Sequence, residues 1–156
     1  MYEALGVKNI DALLPPPAPP KPMDPSVEHM MALAQKPFKA FPGQDHTAHM
    51  KAHLSFMGTQ IARTNPNILA AVQKNILEHI SLMAQEQVQL EFKEEIAQVQ
   101  QMTAQMQQLG GQNPQMKQIQ MQIKKTSDEI EARKAVLIAE TTAEYLEEEK
   151  KVLNQI

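Results

Sequence analysis

The chain is 156 residues long, with no cysteine, no tryptophan, 4% aromatic residues, 11 methionines and a formal charge of −3. Without cysteine it holds no disulfide framework, iron–sulfur centre or thiol nucleophile. So few aromatics argue against a large globular core and against a base-stacking platform, and the charge balance offers no general attraction to nucleic acid.

No apolar run is long enough to span a bilayer, so no membrane partner is expected. The opening, Met1-Tyr2-Glu3-Ala4-Leu5-Gly6, has neither the basic start nor the apolar core of a secretion signal. Residues 1–13 carry a short helical pattern, Leu5, Val7, Ile10 and Leu13. From Leu14 to Pro25 the chain is proline-rich. Successive prolines fix φ and remove donors, so this stretch is expected to be an extended polyproline II strap. A ligand for an SH3-type groove is the alternative use of such a segment. Residues 1–25 thus form an N-terminal segment and strap.

A short-helix region follows, residues 26–64. Asp24-Pro25-Ser26 opens a helix with proline in its first turn, expected to run to about Gln35 before Lys36-Pro37 ends it. Pro42 to His53 reads Pro-Gly-Gln-Asp-His-Thr-Ala-His-Met-Lys-Ala-His and opens a second helix, expected from about Gln44 to Ala62. His46, His49 and His53 lie on one face of it. Three imidazoles at such spacing could ligate zinc, with Asp45 as fourth ligand or supporting partner. His46 and His53 are roughly 10 Å apart along the axis, however, so one helix cannot close all three on one ion. The two-histidine i, i+4 ligand spacing fits only His49 and His53. The favoured expectation is no metal and no cofactor: the histidines edge a packing face made by Met50, Leu54, Met57 and Ile61.

Residues 65–156 are expected to be long helices. Asn65 caps a start with Pro66 in the first helical position, and nothing breaks the pattern from there to Leu109. Its first half is apolar at Ile68, Leu69, Val72, Ile76, Ile80 and Met83. Its second half is Gln-rich, with a heptad-like seam of Ile96, Val99, Met102, Met106 and Leu109. Prion-like low complexity is the other reading of the Gln-rich stretch, but its charges and helical propensity favour a solvated coiled-coil surface. Gly110-Gly111 ends the helix and Asn113-Pro114 starts the last one, to about 154. Its C-terminal part is acidic at Glu140, Glu144, Glu147, Glu148 and Glu149. Strand signals are absent. The expected fold is all-α: an extended strap, short helices, then long helices in a hairpin or coiled-coil-like arrangement. A narrow seam needs another helix or another copy to bury it, so His46, His49, His53, Met50, Leu54, Met57, Ile96, Val99, Met102 and Met106 are expected to carry packing between subunits.

No catalytic constellation is present. There is no Gly-rich phosphate loop between strand and helix, and Ser26, Ser55, Ser81 and Ser127 have no nucleophile context. The chain is expected not to be an enzyme.

Several stretches together resemble the late region of portal proteins of tailed bacteriophages. They are Leu5-Gly6-Val7-Lys8-Asn9-Ile10, Leu14-Pro15-Pro16-Pro17, Met23-Asp24-Pro25, and Lys36-Pro37-Phe38-Lys39-Ala40-Phe41-Pro42-Gly43-Gln44-Asp45-His46. His49, His53, Phe56-Met57 and Leu77-Glu78-His79-Ile80 continue the likeness, which covers roughly residues 5–95. Portal proteins are several times longer than this chain. The resemblance implies a structural virion subunit whose long helices form a coiled-coil-like barrel packed in an oligomeric ring of about twelve copies, a dodecamer, at one capsid vertex. It implies a DNA conduit for packaging and ejection, with weak non-specific passage of DNA and with other capsid and tail-connector proteins as partners. Glu140, Glu144 and Glu148 would then be a channel-facing acidic cluster. The alternative is a helical scaffolding or coiled-coil adaptor that binds partners through its Met/Ile seam.

Overall fold

A computed structural model describes residues 21–109 and 114–154. Among them are six helices and no strands: α1 (Pro25–Leu33), α2 (His46–Met57), α3 (Gln60–Arg63), α4 (Pro66–Glu91), α5 (Lys93–Gln108) and α6 (Pro114–Leu153). The all-α class is therefore as expected. Most of the strap, the N-terminal helical pattern and the Gly110-Gly111 hinge lie outside the described residues. No described helix is long and apolar enough to cross a membrane.

Helix ends follow local chemistry. α1 carries Pro25 in its first turn and stops at Leu33, two residues before the expected Gln35. Gln35 stands at φ 56°, and the N–H groups of Gln35 and Lys36 donate to the carbonyls of Ala32 (3.1 Å) and Met31 (2.8 Å). This closes the helix as a Schellman motif, with a glutamine in the left-handed position that glycine usually fills. Asp45 caps α2 by accepting from the Ala48 N–H at 3.1 Å, so it is a cap and not a ligand. Asn65 caps α4 by accepting from Asn67 and Ile68, with Pro66 first in the helix, as the sequence predicts.

Two expected helices are interrupted. The helix expected over 44–62 breaks after Met57, where Thr59 is extended (ψ 152°) and donates its hydroxyl to the Phe56 carbonyl. Gly58 lies at that break against α6, and a Cβ there would meet Val152 Cγ1 at 3.1 Å. The rod expected from Pro66 to Leu109 breaks at Phe92 (φ −108°, ψ 26°). Hydrogen bonds from Phe92 N–H to Val88 and from Ile96 N–H to Phe92 continue on either side, so the break is a kink without proline.

The core is built on α4. Ile68, Val72, Ile76 and Ile80 recur every fourth residue and are at most 3% exposed. Ala32, Met57, Ala62 and Tyr145 complete the cluster, with Phe38, Met50, Leu54, Phe56, Leu69 and Ile138 packed on it. α6, about 60 Å long, runs antiparallel to α4 and α5. Arg63 donates to the carbonyls of Val152 and Leu153, tying α3 to the end of α6. Arg133 pairs with Glu91 at 2.9 Å, and Gln73 donates to Glu149. α5 buries no side chain fully: Ile96, Val99, Met102 and Met106 are half-buried beside α6, where Met116, Ile119, Ile123 and Ile130 are half-buried too. The hairpin expected from the seam is thus made within one chain.

A buried histidine cluster as candidate metal site

The chain has five histidines, and the fold gathers all of them. His29 comes from α1, His46, His49 and His53 from α2, and His79 from α4. The rings stand 4.7 Å apart for His49 and His79, 5.0 Å for His46 and His79, and 4.9 Å for His29 and His53, between centroids. The α2 residues share a face through their i, i+3 and i+7 spacing. His79 sits on the apolar stripe of α4 between Ile76 and Ile80, with Asn75 just before it. Glu28 of α1 enters from the third side and is fully buried. Because α1, α2 and α4 pack pairwise against one another, a polar knot lies beside an aliphatic core.

Hydrogen bonds order this knot. His49 Nδ1 lies 2.8 Å from Glu28 Oε1, and His53 Nε2 lies 3.6 Å from the same oxygen. His53 Nε2 is also 2.8 Å from Asn75 Oδ1, and its Nδ1 is 2.8 Å from His29 Nε2. His29 in turn stacks on Phe56 at 4.1 Å. On the other side, Glu86 accepts from the Gly43 N–H and from His46 Nε2. A carboxylate only accepts, so His46 carries its proton on Nε2. His46 Nδ1 lies 2.7 Å from His79 Nδ1. When His79 is the donor of that bond, its Nε2, which is buried and has no hydrogen-bond partner, keeps a lone pair.

Electrostatics follow from burial. Burial is the main force holding His53 down at about 4 and His79 at about 3, with the neighbouring imidazoles adding to it. His29 and His49 are lowered by burial as well. Burial, then Glu78 and Asp24, push Glu28 up to about 7. Glu86 is held low, chiefly by the Gly43 N–H. At neutral pH His29, His49, His53 and His79 are therefore neutral imidazoles around a carboxyl balanced between its two forms. Glu28 Oε2 and Asn75 Nδ2 are buried without a hydrogen-bond partner, which is costly in so dry a place.

One donor atom from each of Glu28, His49, His53 and His79 lies within 4.8 Å of every other. Of the ligand set His46, His49 and His53 weighed from sequence, the fold keeps the i, i+4 pair and replaces His46, whose two nitrogens serve His79 and Glu86. Glu28, His29 and Asn75 carry no ligand signal in the sequence, and His79 stands out there only within Leu77-Glu78-His79-Ile80, not as a ligand. Polar residues 75 and 79 do interrupt the stripe Val72, Ile76, Ile80.

The packing residues are placed as follows. His46, His49, His53 and Met57 are buried inside the chain, Met50 and Leu54 are half-buried against the core, and Ile61 is 54% exposed. Glu140, Glu144 and Glu148 are exposed on α6, while Glu149 is buried. Comparison with protein-family models, with curated proteins and with solved structures gives no match.

Proposed function

We propose that this chain is a structural virion subunit, the crown and barrel part of a portal that forms a ring for DNA passage at a capsid vertex. The sequence resemblance over residues 5–95 supports this reading. So does the division of the fold into a knot of short helices, α1 to α3 on the first part of α4, and a long projecting hairpin of α5 and α6.

The observation that carries it is the apolar side chains left exposed on the long helices. Leu90 is 73% exposed, Met121 72% and Leu146 52%, on α4 and α6. Exposed apolar groups of this size are covered when copies stand side by side around an axis. The adaptor alternative has less to work with, because the Ile96–Met106 seam already lies against α6 of the same chain. With no native cysteine, a Met121→Cys/Leu146→Cys double variant gives each copy two attachment points. A bismaleimide should give a ladder of products climbing well beyond the dimer. Products of the double variant that stop at monomer or dimer contradict a ring.

A further inference from the structure

The geometry points to a metal site that the assembly reading does not contain. Glu28, His49, His53 and His79 form a closed four-donor site for one divalent first-row transition ion, zinc foremost, which staples α1, α2 and α4 together.

The donor set is chemically apt. Three imidazoles and one carboxylate are borderline-to-hard ligands, suited to zinc and its first-row neighbours, and the chain offers no thiolate. A tetrahedral zinc with bonds of about 2.0–2.1 Å needs donors roughly 3.4 Å apart. The four donor atoms already lie within 4.8 Å of one another, so side-chain rotations of an ångström or so close the site. Two of the four residues present unused electron pairs in the interior: His79 at Nε2 and Glu28 at Oε2. An ion would satisfy both, and its charge would turn a buried carboxylate from a liability into a ligand.

The surrounding residues already do what supports of a metal site do. Glu86, His46 and His79 form a carboxylate–histidine relay to a ligand, and a His79 Nδ1 that donates to His46 leaves Nε2 bare for the ion. His29 Nε2 stands at His53 Nδ1, ready to accept its proton when His53 Nε2 gives a lone pair to the ion. That change moves the His53 proton from Nε2 to Nδ1 and exchanges the Asn75 contact for the metal bond. All four donor residues are at most 7% exposed, which leaves no open position for water or substrate. The ion's work is therefore to hold the fold, not to catalyse. His46 and His29 are positioning residues.

The test uses the full 156-residue chain, stripped with chelator and titrated with zinc alone against a competing chromophoric chelator. The expected result is one zinc per chain at submicromolar affinity, with the melting temperature raised by about 5–10 °C at saturating zinc. His79→Gln and Glu28→Gln should abolish tight binding. His46→Gln should keep the one-to-one stoichiometry and weaken binding by about 10–100-fold. Should these variants fail to fold, the unmutated chain still decides the matter. Cobalt in place of zinc should give the intense visible absorption of a tetrahedral site, and X-ray absorption should show nitrogen and oxygen neighbours with imidazole scattering. A folded chain that takes up no zinc, or His79→Gln binding as tightly as the parent, overturns the proposal. The site stands on cluster geometry alone, so it can fail without the ring failing, and the reverse.

Discussion

Acid should weaken the metal-free chain before ordinary carboxylates titrate. His53 and His79, at about 4 and about 3 in the fold, have an ordinary value of 6.5. A histidine lowered by folding costs nothing above 6.5, where it is neutral in both states. As pH falls below 6.5 the unfolded chain takes a proton that the folded one refuses, so stability drops until the folded value is reached. From pH 7 to pH 5 the two together remove about 4 kcal/mol. Glu28, raised to about 7 from 4.5, works the other way. Its folded form takes a proton first, so it returns about 2 kcal/mol over the same interval. The balance is a loss of about 2 kcal/mol, deepened by His29 and His49, both also lowered. Neighbouring groups enter this sum in both directions: Asp24 and Glu78 raise Glu28, Asp24 favours protonation of His29 and His49, Asp45 favours that of His49, and His46 opposes protonation of His49 and His79. Urea unfolding followed by circular dichroism at pH 7, 6 and 5, with chelator present, measures it. Stability that is flat or rising toward pH 5 would refute the argument, because it would mean that these imidazoles are solvated.

Other expectations are simpler. Ile76→Ala removes a fully buried side chain at the centre of α4 and should cost about 3–4 kcal/mol in urea unfolding, without loss of helix type. Gln35→Gly relieves the left-handed glutamine that ends α1 and should raise stability by about 0.5–1 kcal/mol in the same assay. Duplex DNA should not bind measurably near physiological salt, given the net charge of −3 and the exposed Glu140, Glu144 and Glu148. A submicromolar dissociation constant by fluorescence anisotropy would contradict a conduit that lets DNA slide.

Local signals in the chain translated faithfully into local structure. Asn65-Pro66, Asp45 and Pro25 each stand where helices begin, and the four-residue rhythm of Ile68, Val72, Ile76 and Ile80 is the core stripe. The breaks at Gly58-Thr59 and Phe92 carry no proline, and Gly58 is explained by close approach to Val152, a residue almost a hundred positions away. The histidine knot was half legible. His49 and His53 announce themselves by their i, i+4 spacing on α2. Glu28 and His79 reach the knot through contacts across 21 and 33 residues, which only the packing of α1 and α4 on α2 creates. Nothing in their immediate neighbours distinguishes Glu28 from a solvated first-turn acid.

The ring reading is tested most directly by the mass of the intact chain under native conditions at micromolar concentration, by native mass spectrometry. The account predicts a closed assembly near twelve copies with few intermediates, because a rotationally closed ring leaves no end to grow from. A monomer, dimer or trimer that persists as concentration is raised would contradict it and return the chain to the adaptor reading.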